Sequence, residues 1–335
     1  MLLLGACAGG SSGPKTVVGG PRPAWVEGES GKWPRAANVL GVGSGDTEDA
    51  AADRARGEIS RVFSSNVSVD TTVDESETNL TSGGRATGSF SQNVAQSIRT
   101  ASKKMLEGVE IVERWKDPTG RYYALAILNK GKAMTAVSEK AQAVDADAAK
   151  WKAELDAAGD KFARAKAAAK LSALLKGRLE LENDRRVLSG GPLPSTVDVS
   201  AAKLAASKAL AALDVVVIAT GDGSENLETG IVTGLAASGL MAKRGNAGDR
   251  GDLVVEAASA TSPVEGGDER WKWSRATATV TLKDGREDKS FARFDAGERQ
   301  ASADAGEARR RAVAALAKKA SEQTAAAIAS FFENQ

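Results

Sequence analysis

Residues 38–63 read NVLGVGSGDTEDAAADRARGEISRVF, and this run sets the class of the fold. Asn38 to Gly45 read as a strand entering a glycine turn. Asp46 or Thr47 then caps a helix, since a short side chain with an oxygen can accept from the free amides of the first turn. That helix runs from about Glu48 to Phe63, with Ala51, Ala55, Ile59, Val62 and Phe63 on one face. Gly41-Val42-Gly43-Ser44-Gly45 ahead of a helix could cradle a phosphate on free N–H groups. However, the spacing is not GxGxxG, no Walker lysine follows, and no acidic residue stands about 20 positions on in a βαβ unit. A tight turn into a capped helix is the expected reading.

Outward from this run, a small α+β domain is expected over about residues 24–130. Trp25-Val26 opens it. Asn66 to Val73 alternates as a strand, and Asp74 to Ser89 is polar enough for a loop. Phe90 to Lys104 has helical spacing, and Leu106 to Trp115 is a strand. Asp117-Pro118-Thr119-Gly120 is a turn with proline second and glycine fourth, and Arg121 to Leu128 returns. Tyr122 and Tyr123 point to opposite faces, so one of them, Tyr122 as the candidate, is left as contact surface.

Residues 131–188 form a helical spacer. Their stripe is Val137, Ala141, Val144, Ala148, Trp151, Leu155, Ala158, Phe162, Ala165, Ala169, alternating steps of four and three as a heptad seam does. The unbroken seam favours one rod of about 85 Å. Ala158-Gly159-Asp160 favours a hairpin, with Gly159 as the left-handed stop and Asp160 as the next cap. Such a seam serves either a homo-oligomer or a helix pair packed on its own domains. Residues 189–195, opening Ser189-Gly190-Gly191-Pro192, are a linker.

A second α+β domain is expected over 196–335. Helices are read at 199–213, 225–238 and 304–332. Strands are read at 214–219 and 253–259, and in a hairpin of 271–282 with 287–294 about Asp284-Gly285. The fold class is therefore α+β: two small domains, each a sheet meander with packed helices, joined by a helical hairpin or rod.

At the other end of the chain stands its only cysteine, Cys7, in Leu4-Gly5-Ala6-Cys7. Leucines and then small residues before a cysteine are what a lipoprotein signal peptidase needs, so Cys7 is the candidate lipidation site. A secretory signal carries a basic end and roughly 7–15 apolar residues. Only Leu2-Leu3-Leu4 precede the glycine, so a start further upstream is expected. Residues 8–23 are rich in Gly, Ser and Pro and read as a flexible tether. Multiple acyl chains on Cys7 would anchor it stably, whereas one chain is marginal.

Composition narrows the chemistry. The 335 residues hold 45 basic and 44 acidic side chains and no histidine. The balance argues against a nucleic-acid partner, which needs a basic stripe. The missing histidine removes the commonest general base and metal ligand, so no enzyme, cofactor or metal is expected. One cysteine allows no internal disulfide, and no run of about 18 apolar residues spans a bilayer.

Three further clusters stand out. Asp222, Ser224 and Glu225 crowd a glycine loop but lack the alternating ligands of a calcium loop, so they read as a turn and a cap. Arg309-Arg310-Arg311 reads as a solvated helix face, or as a patch for anionic lipid or wall polymer. Trp271 and Trp273, two apart on a strand with Arg275 nearby, share one face. They are an interaction surface, or core beneath the last helix; core is the commoner outcome.

With Pro23-Ala24-Trp25, Gly41-Val42-Gly43, the alanine-spaced helix, the strand ending Trp115 and Tyr122-Tyr123-Ala124-Leu125-Ala126 in this order, the first domain resembles the LPP twenty lipoprotein family, which includes FlgP-like outer-membrane lipoproteins. The resemblance covers about residues 20–135. It implies a membrane-anchored, non-enzymatic envelope protein at the outer membrane facing the periplasm, whose partners are envelope proteins or peptidoglycan. Ala8 after the cysteine fits outer-membrane sorting in that family. The second domain is loosely similar to the TolB amino-terminal or LpoB-like fold, which implies a wall-binding or synthase-activating role as the alternative.

Overall fold

The computed structural model describes residues 14–67, 90–265 and 270–334. The chain divides into two compact units. One is drawn from the described parts of 1–73, 96–144 and 177–195, the other from those of 74–95, 145–176 and 196–335. The helical stretch expected as a spacer is shared between them.

The first unit is built on a four-stranded sheet. Its strands are β1 (Val17–Val18), β2 (Asn38–Gly45), β3 (Glu110–Lys116) and β4 (Tyr122–Asn129), in the order β1-β3-β4-β2. β2 and β3 both run antiparallel to β4, and β1 pairs parallel to β3, with Val17 opposite Trp115. A strand thus forms inside the stretch expected as tether. The helix α1 (Glu48–Val67) follows β2. Thr47 caps it, its hydroxyl accepting from the Ala50 amide at 3.2 Å.

The glycines of β2 do not make a turn. Gly41, Gly43 and Gly45 all lie within the strand, and none has a positive φ. Their spacing of two puts them on one face, and α1 lies on that face. A Cβ on Gly43 would collide with the Ala51 carbonyl and the Ala55 amide, and one on Gly45 would come within 2.8 Å of Ala50 Cβ. The glycines therefore let helix backbone rest on strand backbone. Ala51, Ala55, Ile59 and Phe63 are buried there, while Val62, expected with them, is 38% exposed. α1 also continues through Asn66 and Val67, where a strand was expected to begin; the rest of that strand and the whole of the loop after it lie outside the described residues. The opposite face of the sheet carries Leu40, Trp115, Leu125 and Ile127, closed by Trp25 and Val26 from the short 3-10 helix Ala24–Glu27.

α2 (Phe90–Glu107) runs further than its spacing suggests, and β3 starts correspondingly later. α3 (Lys130–Ala157) and α4 (Lys161–Ser189) are two helices, not one rod. Asp160 caps α4, its carboxylate accepting from the amides of Phe162 and Ala163 at 2.9 and 3.0 Å. Gly159 is not the left-handed stop expected of it, for its φ is not positive. The seam residues Val137, Ala141, Val144, Ala148, Leu155, Phe162, Ala165 and Ala169 are buried within the single chain.

The second unit holds a five-stranded sheet. Its strands are β5 (Val215–Gly221), β6 (Ala242–Arg244), β7 (Leu253–Val264), β8 (Lys272–Asp284) and β9 (Lys289–Ser302), in the order β6-β5-β7-β8-β9. β5 is parallel to both β6 and β7, whereas β7, β8 and β9 form an antiparallel meander. The helices are α5 (Val199–Ala211), α6 (Ser224–Ala237) and α7 (Ala305–Asn334). α6 and α7 lie together on one face. There Val215, Val217, Leu253, Val255, Val280 and Leu282 meet Leu227, Ile231, Leu316 and Ile328 in a single core, which Phe162 of α4 also enters.

Candidate interaction face

β8 alternates with the period of a half-covered strand. Ser274, Ala276, Ala278, Val280 and Leu282 are buried toward α7, which leaves Trp273, Arg275, Thr277, Thr279 and Thr281 on the other side. The register of β9 then decides what these residues meet. Arg299 stands directly opposite Arg275, Gly297 opposite Thr277, and Asp295 opposite Thr279. Because Gly297 has no side chain, the face dips there. Ala258, Ala260, Thr277, Thr279 and Gly297 floor a shallow, open depression of about 870 Å³, with Arg275 and Arg299 at one end and Asp295 on its margin.

The polar groups differ in how they are held. The Thr279 hydroxyl donates to Asp295 at 2.6 Å. Arg299 lies over the Trp273 ring, its guanidinium carbon 4.4 Å from the centroid. Arg275 and Arg299 are both exposed, and neither makes an ion pair among the described residues. Like charges directly opposite one another destabilise a sheet, and an anion laid across the pair would relieve that repulsion.

The two tryptophans do not fill the core beneath α7. Trp271 precedes β8 and is 51% exposed, and Trp273 is half-buried on the outer face beneath Arg299. Arg275 shares that outer face. Arg299 and Gly297 were missed in the sequence because they lie beyond the expected end of β9 at Phe294. Their signal is the continued alternation through Asp295-Ala296-Gly297-Glu298-Arg299. Tyr122 belongs to the other unit. It is half-buried, with Lys116 Nζ 4.6 Å from its ring centroid; Tyr123, half-buried as well, packs on the other face against the core, its ring tilted on Trp115 at 5.3 Å. Cys7 and the rest of Leu4-Gly5-Ala6-Cys7 lie outside the described residues.

The remaining sequence candidates have structural uses. The glycines of β2 are filled by α1, which leaves no room for a phosphate. Asp222 accepts from the Thr261 hydroxyl and amide at 2.9 and 3.1 Å and faces Arg309 at 3.3 Å. The Thr261 hydroxyl, then its amide, then Arg309 hold that carboxyl below the usual range. Arg310 and Arg311 both pair with Glu307, so the arginine triplet is satisfied within the chain. Among the described residues no cluster of His, Cys, Asp and Glu could hold a metal, and no helix is long and apolar enough to cross a membrane.

Residues 23–129 match the model of the LPP20 lipoprotein family. No curated protein matches the chain. Among solved structures, a minor lipoprotein from Acinetobacter baumannii is similar at 11% identity, covering 35% of this chain and 91% of its own, with a TM-score of 0.29. A putative lipoprotein from Caulobacter crescentus is similar at 16% identity over 36% of this chain and 90% of its own, with a TM-score of 0.28. The secreted protein HP1454 from Helicobacter pylori covers 76% of this chain and 85% of its own at 14% identity, with a TM-score of 0.35. The family match ends at Asn129, the last residue of β4, and so takes in β2, α1, α2, β3 and β4.

Proposed function

We propose that this chain is a lipid-anchored envelope lipoprotein, held through an acylated Cys7 at the outer membrane and facing the periplasm. In this reading it acts by positioning and by binding other envelope proteins, not by catalysis. The observation that carries it is the LPP20 match over residues 23–129, which follows Leu4-Gly5-Ala6-Cys7 after the stretch 8–22. Metabolic labelling with palmitate in the native host tests it, comparing wild type with Cys7→Ser and fractionating the membranes. Label and outer-membrane association that both depend on Cys7 are expected. An unlabelled, unattached wild-type protein would remove the envelope reading.

A second reading has its own support. The exposed Trp271 and the unneutralised Arg275 and Arg299 suit a polymer that carries both sugar faces and carboxylates, such as cell-wall peptidoglycan. Stacking and charge-assisted hydrogen bonds would then supply the affinity. Pull-down by purified peptidoglycan is expected to fall about tenfold for Arg275→Ala, the loss of one charged contact, and to fall also for Trp271→Ala. Undiminished binding in both variants would take this face out of the argument.

A further inference from the structure

At the turn between α3 and α4, Trp151, Ala157, Ala158, Ala163 and Ala167 line a cleft of about 390 Å³. The rim is charged. Lys150, Lys166 and Glu154 border it. Lys170 Nζ sits 4.6 Å from the centroid of the Trp151 ring, and Lys150 Nζ lies 5.7 Å from the same ring. Asp160 fixes the first turn of α4, which carries Lys166 and Lys170 on one side, four residues apart.

These amines act on one another. Burial first, and then the charges of Lys166 and Lys150, hold the Lys170 amine below the usual lysine range, while Glu333 works the other way. Lys150 and Lys166 have no ion pair among the described residues. Lys150 and Lys166 thus bring two cations without an ion pair among the described residues to a small-walled cleft that Glu154 also borders. An anion entering between them would relieve their mutual repulsion.

We propose that the Trp151 cleft is a binding site for a phosphate-bearing ligand, with Lys150 and Lys166 holding the phosphate and the indole covering the group attached to it. Phosphate fits better than a single carboxylate. It brings up to two negative charges and three strong acceptor oxygens to the two amines, and lysine binds it as a point charge with no need of a planar fork. The alanine walls leave room for the phosphate itself. The source is either a soluble phosphate or the headgroup of an anionic lipid.

Calorimetry on the full chain carrying Cys7→Ser, which removes any acyl anchor, tests the site with pyrophosphate as probe. Vesicles of phosphatidylglycerol, with phosphatidylcholine as reference, form the second arm. Saturable pyrophosphate binding is expected. It should weaken about a hundredfold in Lys150→Gln/Lys166→Gln, two charged contacts at about tenfold each. Lys152→Gln, which removes only the pair with Asp156, should leave it unchanged, and circular dichroism should show all variants folded. Lysine-dependent attachment to phosphatidylglycerol alone assigns the phosphate to lipid, and binding confined to pyrophosphate assigns it to a soluble ligand. No saturable binding of either, or equal affinity in the double variant, overturns the site. Neither result bears on lipidation of Cys7.

Discussion

Glycine means opposite things at two positions only 14 residues apart. Gly43 lies where α1 meets β2, and any Cβ there meets the Ala51 carbonyl and the Ala55 amide. These are backbone atoms that cannot swing aside. Gly57 is inside α1 with nothing within 4 Å of where its Cβ would stand, so it costs helix propensity and gives no packing in return. Gly43→Ala is therefore expected to destabilise the first unit by about 2–3 kcal/mol, through overpacking. Gly57→Ala should stabilise it by up to about 1 kcal/mol. Denaturant midpoints of the two variants check both signs; a neutral Gly43→Ala would mean that α1 can lift from the strand. The sequence carried the spacing of these glycines but not what lies over them. The same period of two describes a strand face and suggests a loop, and only the helix resting on that face decides between them.

At the scale of elements, capping chemistry and chain reversal were each legible only in part. Thr47 and Asp160, both read as caps, cap α1 and α4, by the short-range accepting geometry that sequence can display; Asp198, which caps α5, was not read, and α6, for which a cap was read among Asp222, Ser224 and Glu225, is entered from Gly223 with no side-chain cap. Asp160→Ala is expected to cost about 1 kcal/mol. Gly159→Ala should be neutral to stabilising by about 0.5 kcal/mol, because the site has ordinary φ and open space and alanine restricts only the unfolded chain. Thermal midpoints of the pair separate a turn held by the cap from one held by glycine, and a larger loss at Gly159 would reverse this assignment. The short strands escaped notice for a different reason. β1 has two residues and β6 three, too few to show a period, and each exists because a longer neighbour offers it an edge. The long β7–β9 meander was legible from alternation and the Asp-Gly turn. Its outer face was not, since the placing of Arg299 opposite Arg275 depends on register across a turn with a bulge between Leu282 and Lys283.

For the whole molecule, the missing histidine makes a statement about pH. No side chain among the described residues has an ordinary pKa between about 5 and 8. The clear carboxylate shifts are all downward. Asp284 is buried and held low first by the Arg286 guanidinium, which reaches it at 2.6 Å and also lies over the Phe162 ring. Asp222 is held low first by Thr261, and Glu307 first by Arg310 and then Arg311. A carboxyl whose pKa is lower folded than unfolded binds fewer protons in the native state. Its contribution is fully present above the unfolded value, about 4, and is lost as pH falls through the folded value. The thermal midpoint should therefore be flat from about pH 5.5 to about pH 7.5 and fall below about pH 4. Asp284→Asn should lower the plateau by about 1–2 kcal/mol, since it takes the charge from the two hydrogen bonds that Arg286 makes to the buried carboxylate, and should make the acid limb shallower. Thermal scans of wild type and Asp284→Asn across this range check both. A slope within the plateau would mean that a group other than these carboxylates governs stability. An acid limb unchanged by the substitution would place the loss at the other lowered carboxyls, Asp117, held first by the Thr119 hydroxyl, and Asp222 and Glu307, tied to the arginines of α7.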